Sequence, residues 1–137
     1  MAVLRSKDGS VELVLRPYQV SDSGTPTWVS IQLSVRQSGK ELMSTTVSLT
    51  KNDVRDLHLR ARETAAGERV NLRFISTDFD FALEVEPMPL PGDMSLGLWV
   101  GEPYELMRGY RFIVDAAGLD RFARDILEDE SRMDDSH

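Results

Sequence analysis

The chain has 137 residues and no cysteine, a length that suits one domain and a composition that excludes disulfides, zinc–thiolate sites and iron–sulfur clusters. Its 23 acidic and 16 basic residues give a formal net charge of -7, which argues against nucleic acid or an anionic membrane as the main partner. No apolar run is long enough for a signal peptide or a membrane span. We therefore expect a single cytoplasmic domain over residues 1–137.

Alternation of apolar and polar residues predicts the first strands at 11–15, 29–35 and 43–49. The polar break at 38–40 predicts a hairpin between the last two. Its expected register pairs Val35 with Met43, Ile31 with Val47 and Val29 with Leu49. A three-residue loop is expected, because a two-residue loop would place apolar residues opposite polar ones.

A second hairpin is predicted around a turn at Ser76-Thr77. Its apolar face is expected to bury six residues together as the pairs Phe74 with Phe79, Leu72 with Phe81 and Val70 with Leu83. The polar face then pairs Arg73 with Asp80 and Arg69 with Glu84. In this register Arg73 and Asp80 both face solvent.

Two more strands are predicted at 94–100 and 110–114, after a proline-rich connector over 87–93. Helix signals follow two of the strands. Thr50 is a good N-cap for a helix that ends at Gly67, and Asp115 is a good N-cap for a helix that runs to about Glu130. The strand-to-helix entries at Thr50 and Asp115 share one spacing. An internal repeat would explain this, but we favour a generic strand-to-helix pattern.

The sequence contains no motif for nucleophilic catalysis, phosphate binding or metal binding, so we expect neither an enzyme nor a cofactor. His58 lies beside the apolar stripe of the first helix and is interpreted as a boundary residue. The carboxylates of Asp78, Asp80, Glu84 and Glu86 alternate along one strand. This spacing is typical of a solvated strand face with arginines opposite it, and we favour that interpretation over a catalytic or cation site.

Five residues are predicted to contact a partner. Trp28 and Trp99 fall on the outward phase of their strands, and Trp99 is flanked by Gly97 and Gly101. Exposed tryptophans are typical of binding surfaces, although a bulge or a covering helix would bury them. The remaining candidates belong to an acidic run near the C-terminus, and they are Asp125, Asp129 and Glu130. Such a run would speed encounter with a basic protein, although it is also typical of a solvated helix face.

The chain resembles the WapI-type immunity proteins and related uncharacterised bacterial families from about Val11 to Leu127. The resemblance lies in three segments, which are Tyr18 to Trp28, Leu49-Thr50 with Val54-Arg55-Asp56-Leu57, and Phe112-Ile113-Val114 with Leu119-Asp120-Arg121-Phe122-Ala123. It implies a bacterial protein that neutralises a toxin by binding and has no enzymatic activity.

These observations predict an α+β fold with one curved, mainly antiparallel sheet of about seven strands and two amphipathic helices packed on one side. The acidic tail from about residue 128 is expected to fray. The expected function is that of a cytosolic protein-interaction module that binds its partner stoichiometrically. The alternative is a small-ligand-binding or accessory domain with a pocket between the sheet and the helices. A closed apolar cavity would favour the alternative, and an exposed apolar patch would favour a protein partner.

Overall fold

The computed structural model describes residues 1–21, 27–102 and 105–135, with the backbone alone at 102, 105–107, 130 and 133–135. These residues form an α+β fold in which each of two antiparallel sheets is followed by a helix. The first half contains β1 (Ala2–Arg5), β2 (Val11–Ser21), β3 (Trp28–Gln37), β4 (Lys40–Thr50) and α1 (Lys51–Ala65). The second half contains β5 (Leu72–Ile75), β6 (Phe81–Pro87), β7 (Asp93–Glu102), β8 (Glu105–Asp115) and α2 (Ala116–Asp135).

The expected single sheet of about seven strands is wrong. Strands β1 to β4 form a first sheet and β5 to β8 a second, each in sequence order. Helix α1 lies between β4 and β5 in the chain. Within each sheet, every strand pairs only with the strands next to it in sequence. Strand β1 was not predicted, because its four residues are too few to establish an alternating pattern. Its buried residues Ala2 and Leu4 belong to the core.

The two halves share more than their order of elements, because the turns β1–β2 and β5–β6 have the same hydrogen bonds. Ser6 N–H donates to the Val11 carbonyl at 2.8 Å, and Ser76 N–H donates to the Phe81 carbonyl at 2.9 Å. The fourth residue of each six-residue turn is left-handed, with φ 77° at Gly9 and 57° at its counterpart Phe79. The architecture therefore supports the internal repeat over the generic pattern.

The β3–β4 hairpin confirms the expected register, since all three predicted pairs are present. Its loop is different: Ser38 and Gly39 form a two-residue turn with positive φ at both positions. The pairing shifts by one residue at Val35/Arg36, and this bulge restores the alternation that a two-residue loop would otherwise break. The three-residue loop was wrong because the bulge leaves no mark on the apolar pattern.

The β5–β6 hairpin is longer at its turn than expected, and its predicted register is wrong. The observed partners are Leu72 with Val85, Arg73 with Glu84, Phe74 with Leu83 and Ile75 with Ala82. Val70 and Phe79 were expected in the core but are 72% and 46% exposed. Asp80, expected in solvent, is 4% exposed. The reason is Ser76, whose side-chain hydroxyl accepts from the main-chain N–H groups of Asp80 and Phe81 and widens the turn.

The predicted helix starts are confirmed. Thr50 and Asp53 form a reciprocal capping box at the start of α1, and the side chain of Asp115 accepts from Gly118 N–H at 2.7 Å at the start of α2. Helix α1 ends at Ala65, before Gly67 at φ 78°. Helix α2 continues to Asp135, beyond the expected end near Glu130.

One hydrophobic cluster joins the inner faces of both sheets to both helices. The helices contact each other, and each reaches the sheet of the other half: α1 packs on β5 of the second sheet, and α2 packs on β1 and β2 of the first. His58 bridges the helices, with its Nδ1 2.6 Å from the Ala123 carbonyl oxygen, which fits the boundary role expected from the sequence. The outer face of each sheet lies opposite this core.

Candidate functional site

The five predicted partner residues do not form one surface. Trp28 begins β3 of the first sheet, opposite Thr50, whereas Trp99 lies on β7 of the second sheet. Both tryptophans are half-buried. Asp125 and Asp129 lie on α2, which packs on the first sheet.

The acidic residues differ among themselves in exposure. Asp129 was expected to face solvent but is only 9% exposed, where α2 packs on β1 and β2, and its carboxylate pairs with the amino group of Met1. Asp125 is half-buried, and the side chain of Glu130 lies outside the described residues. Acidic and aromatic partner residues were expected on one face. Asp129 and Trp99 do not share a face, because Trp99 lies on the second sheet and α2 packs on the first.

The outer face of the second sheet combines a tryptophan, two glycines and two arginines. Two rows of paired residues cross it from β5 to β8, and we call them together the tryptophan face. One row contains Ile75, Ala82, Trp99 and Gly109, and the next contains Arg73, Glu84, Gly97 and Arg111. The first row is apolar and the second is charged at both ends.

Two glycines form the floor on which the indole of Trp99 lies. A Cβ added to Gly97 would stand 2.6 Å from Trp99 Cη2, and one added to Gly109 would stand 2.8 Å from Trp99 Nε1. Side chains at either position would displace the ring. The absence of side chains at these two positions therefore lets the indole rest on the sheet backbone.

Arg111 lies beside the indole on the same floor. Its guanidinium carbon is 5.8 Å from the centroid of the Trp99 ring, and its Nη2 would be 3.2 Å from a Cβ on Gly97. Arg111 Nη1 donates to the Ser95 hydroxyl at 3.1 Å. Arg73 pairs with Glu84 at 3.7 Å, but Arg111 has no ion pair within the described part of the chain. Among the described residues, the guanidinium of Arg111 therefore contacts a hydroxyl and an aromatic ring but no carboxylate.

An open groove of about 400 Å³ runs along this face beside Trp99. Its lining includes Arg73, Ile75, Ala82, Glu84 and Trp99. The side chain of Ile75 is 53% exposed at the edge of the groove. An exposed aliphatic side chain, a fixed indole and a guanidinium thus border one shallow depression.

The first sheet provides an internal comparison, because β3 and β4 repeat the positions of β7 and β8. Trp28 pairs with Thr50 at the end of one sheet as Asp93 pairs with Asp115 at the end of the other. At the positions of Trp99, Gly109, Gly97 and Arg111, the first sheet has Ser34, Ser44, Gln32 and Thr46. The first sheet is therefore polar where the second has an indole on glycine.

Between the first sheet and the helices, the described residues enclose no comparable site. The apolar space between the first sheet and the helices measures about 10 Å³ and is lined by residues such as Leu15, Ile31, Leu57 and Ile126. A drug-sized ligand needs a pocket of about 300 Å³ or more. This space gives no support to a ligand site between sheet and helices.

Carboxylates meet at the β5–β6 turn, where the two halves join. Asp53 at the start of α1 accepts from the main-chain N–H and the hydroxyl of Thr77, and Asp80 accepts from Ser48 N–H at 3.0 Å. Burial, followed by the charges of Asp80 and Asp53, raises the pKa of Asp78 above its ordinary value. These hydrogen bonds give the acids a structural role in holding the turn against β4 and α1.

Asp8 occupies the position of Asp78 in the other half but has the opposite environment. Hydrogen bonds from the hydroxyls of Ser6 and Ser10, and from Ser10 N–H, lower the pKa of Asp8 to about 2. The carboxylate thereby holds the β1–β2 turn closed. The same turn contacts β8 through Lys7, whose N–H donates to the Ile113 carbonyl at 2.7 Å.

Trp99 and Gly97 were predicted from the sequence, whereas Gly109, Arg111 and Ile75 were not. The signal for Gly109 lies in the β7–β8 register, which places it directly opposite Trp99. The predicted strand at 110–114 began one residue too late to include it. Ile75 pairs with Ala82 in the observed register, and the predicted register did not contain this pair.

Comparison with known proteins gives a fold and no family. No family model matches the chain, and no curated protein matches it in sequence. Among solved structures, the plant transcriptional regulator PBF-2 is similar to this chain, with a TM-score of 0.53 and 15% sequence identity over 93% of this chain and 79% of that one. At this identity the likeness concerns the fold alone. Neither helix in the described ranges is long and apolar enough to cross a lipid bilayer.

Proposed function

We propose that this protein is a non-enzymatic protein-interaction module that binds a partner protein stoichiometrically through the tryptophan face. The observation behind this proposal is the indole of Trp99, held flat on Gly97 and Gly109 at the centre of an otherwise open sheet face. Large aromatic side chains fixed before binding lose little conformational entropy when a partner covers them. They are also enriched among the residues that dominate binding energy.

The neighbours of Trp99 fit this role. Ile75 and Ala82 extend the apolar row toward β5, while Arg73, Glu84 and Arg111 supply polar contacts around it. An apolar centre with a charged border is the usual arrangement of a protein interface. The first sheet, built on the same strand pattern, has Ser34 and Ser44 where the second has Trp99 and Gly109, and this difference supports the choice of the second sheet.

Three finer expectations stay part of the proposal. The net charge of -7 would attract a basic protein during diffusional encounter, so a basic partner is proposed. The resemblance to WapI-type immunity proteins suggests that this partner is a bacterial toxin. A protein that neutralises a toxin in this way would act in the cytoplasm of the producing cell.

Affinity capture from a lysate of the source organism tests the proposal. The bait is the full chain, compared with Trp99→Ala and with Trp28→Ala as the matched tryptophan on the other sheet. Mass spectrometry of protein and small-molecule eluates identifies what is bound. We expect one protein in near-equal amount to the bait, lost with Trp99→Ala and kept with Trp28→Ala.

Two results would contradict the proposal. A protein retained equally by both variants would show that the tryptophan face is not the contact surface. A small molecule recovered in place of a protein would support the ligand-binding alternative. The melting temperature of each variant should be measured first, so that a loss of binding is not a loss of folding.

A further inference from the structure

We infer that the partner contributes an extended segment that adds to the free edge of β8 as a fifth strand, with an acidic side chain placed against Arg111. This inference rests on the proposed function and specifies how the tryptophan face is used. Strand addition is a common mode of peptide recognition, in which main-chain hydrogen bonds supply affinity and alternate side chains supply specificity.

Strand β8 is the last strand of the second sheet, so one of its sides has no neighbouring strand. Its Ile113 carbonyl points away from β7, because it accepts from Lys7 N–H at 2.7 Å. In an antiparallel pair the residues whose main-chain groups point outward alternate along the strand. Arg111 and Gly109 therefore also present their N–H and C=O groups to the open edge.

The contact at Ile113 shows that this edge already accepts main chain from elsewhere. The β1–β2 turn docks one peptide group there, and within the described residues neither Gly109 nor Arg111 makes a main-chain hydrogen bond beyond the sheet. An incoming strand can pair with these two residues and stop at the Lys7 turn. The turn thus sets the position at which the added strand ends.

The side-chain arrangement beside this edge suits an incoming strand. Gly109 has no side chain between the edge and Trp99, and the Nε1 end of the indole lies above it. No acceptor for the Trp99 N–H occurs among the described residues, although its ring is half-buried. A residue of the added strand opposite Gly109 would contact the exposed indole and could accept from its N–H.

The charge of Arg111 predicts an acidic residue at one position of the added strand. Arg111 contacts a hydroxyl and a ring, with no carboxylate paired to it in the described part of the chain, whereas Arg73 on the same row is paired with Glu84. A strand residue next to Arg111 with an Asp or Glu side chain would complete this pair. The net charge governs encounter over a Debye length, whereas Arg111 acts only on the docked segment.

The free edge of β4 in the first sheet is the matched control. Ser48 N–H points outward there and donates to Asp80, so Thr46 also presents its main chain to that edge. Thr46 occupies the position of Arg111, but Ser34 and Ser44 stand where the second sheet has Trp99 and Gly109. An extended segment would find equal main-chain groups at β4 without the indole or the guanidinium.

The experiment uses random twelve-residue peptides displayed on phage, selected on the full chain and then titrated as synthetic peptides. Four variants are compared with the unaltered protein: Arg111→Ala, Arg111→Pro, Thr46→Pro and Trp99→Ala. Alanine removes only the side chain of Arg111, whereas proline also removes its outward N–H. Amide hydrogen exchange with and without peptide measures protection at residues 109 and 111.

We expect selected peptides to carry Asp or Glu and to protect the amides of Gly109 and Arg111. Arg111→Ala should weaken binding about tenfold, and Arg111→Pro should weaken it by about another tenfold, the scale of one lost hydrogen bond in a docked segment. Thr46→Pro should leave affinity unchanged. Each proline variant must keep a melting temperature within a few degrees of its alanine counterpart, Thr46→Ala being made for that purpose.

Three results would overturn strand addition: equal affinities for Arg111→Ala and Arg111→Pro, protection absent at residues 109 and 111, or no peptide selected at all. If Trp99→Ala abolishes binding while the two Arg111 variants agree, the tryptophan face is used but β8 gains no strand. If Trp99→Ala leaves binding unchanged, the proposed function fails instead.

Discussion

The carboxylate of Asp80 in the second half accepts a hydrogen bond from the main-chain N–H of Ser48 in the first, at 3.0 Å. Its other oxygen accepts from the Ser76 hydroxyl at 2.7 Å. One buried side chain thus ties the β5–β6 turn to the edge of β4. Lys7 makes the reciprocal connection in the other half, where its N–H meets the carbonyl of Ile113 on the edge of β8.

Replacing Asp80 with alanine should destabilise the protein by about 2 to 4 kcal/mol, because it leaves the Ser48 N–H and the Ser76 hydroxyl without their acceptor. Ser10 holds the corresponding place in the β1–β2 turn but is less buried, and Ser10→Ala should cost about 1 kcal/mol or less. Urea unfolding followed by circular dichroism measures both values. Equal losses for the two variants would show that Asp80 does not join the halves.

Asp8 and Asp78 occupy equivalent positions and should respond to pH in opposite directions. The pKa of Asp8 is lowered to about 2, so its stabilising effect is complete above the ordinary value of 3.8 and is lost as the pH falls toward 2. The pKa of Asp78 is raised, so the unfolded chain releases this proton first and stability falls as the pH rises above 3.8.

Asp78→Asn should therefore unfold at a higher urea concentration than the unaltered protein at pH 7, and the difference should shrink as the pH is lowered towards 3.8. Asp8→Asn should unfold at a lower urea concentration at pH 7. Unfolding curves at several pH values give both comparisons. Stabilisation by Asp8→Asn at neutral pH would contradict the environment described for that turn.

Two neighbouring phenylalanines should differ sharply in their effect on stability. Phe81 is fully buried and its ring contacts that of Phe74 with centroids 5.8 Å apart, so Phe81→Ala should cost about 3 to 5 kcal/mol. Phe79 is partly exposed at φ 57°, where glycine is the residue without strain. Phe79→Gly should change stability by about 1 kcal/mol or less, because relief of strain offsets lost contacts. A larger loss at position 79 than at 81 in thermal unfolding would contradict this turn geometry.

Gly109→Ala should displace the indole of Trp99 without unfolding the protein, because the added Cβ would stand 2.8 Å from Trp99 Nε1 and the ring can rotate away. In a Trp28→Phe background, the fluorescence emission of Trp99 should shift to longer wavelength as the ring leaves the sheet. Ser44→Ala, at the equivalent position of the first sheet, should leave the emission unchanged. An identical spectrum for Gly109→Ala would mean that the glycine floor does not hold the ring.

The parts of the fold that could be predicted are those decided by neighbours along the chain. The register of β3–β4 and the caps at Thr50 and Asp115 depend on alternation and on first-turn hydrogen bonds, and both were correct. The β5–β6 register depends on Ser76, whose hydroxyl widens the turn. The spacing of apolar residues does not indicate this hydrogen bond. A register shift by an even number of residues also keeps each side chain on the same face of the sheet, so the apolar pattern fits both registers.

The residues of the candidate site also divide into those that one strand predicts and those that other strands contribute. The outward phase and flanking glycine of Trp99 were readable from β7 alone. The remaining parts come from other strands, since Gly109 and Arg111 on β8 and Ile75 on β5 reach the tryptophan face only through cross-strand pairing. The burial of Asp129 follows from the packing of α2 on β1 and β2, and no local pattern indicates that packing.

The contacts of each helix with the sheet of the other half affect how the chain unfolds. Because α1 also rests on β5 and α2 also rests on β1 and β2, either half alone would leave part of the apolar stripe of its helix uncovered. We therefore expect the two sheets to unfold as one cooperative unit. If the connection at 66–71 were cut, the severed pieces would still recognise each other. Two copies of the chain could then exchange halves through the same contacts that close a single one.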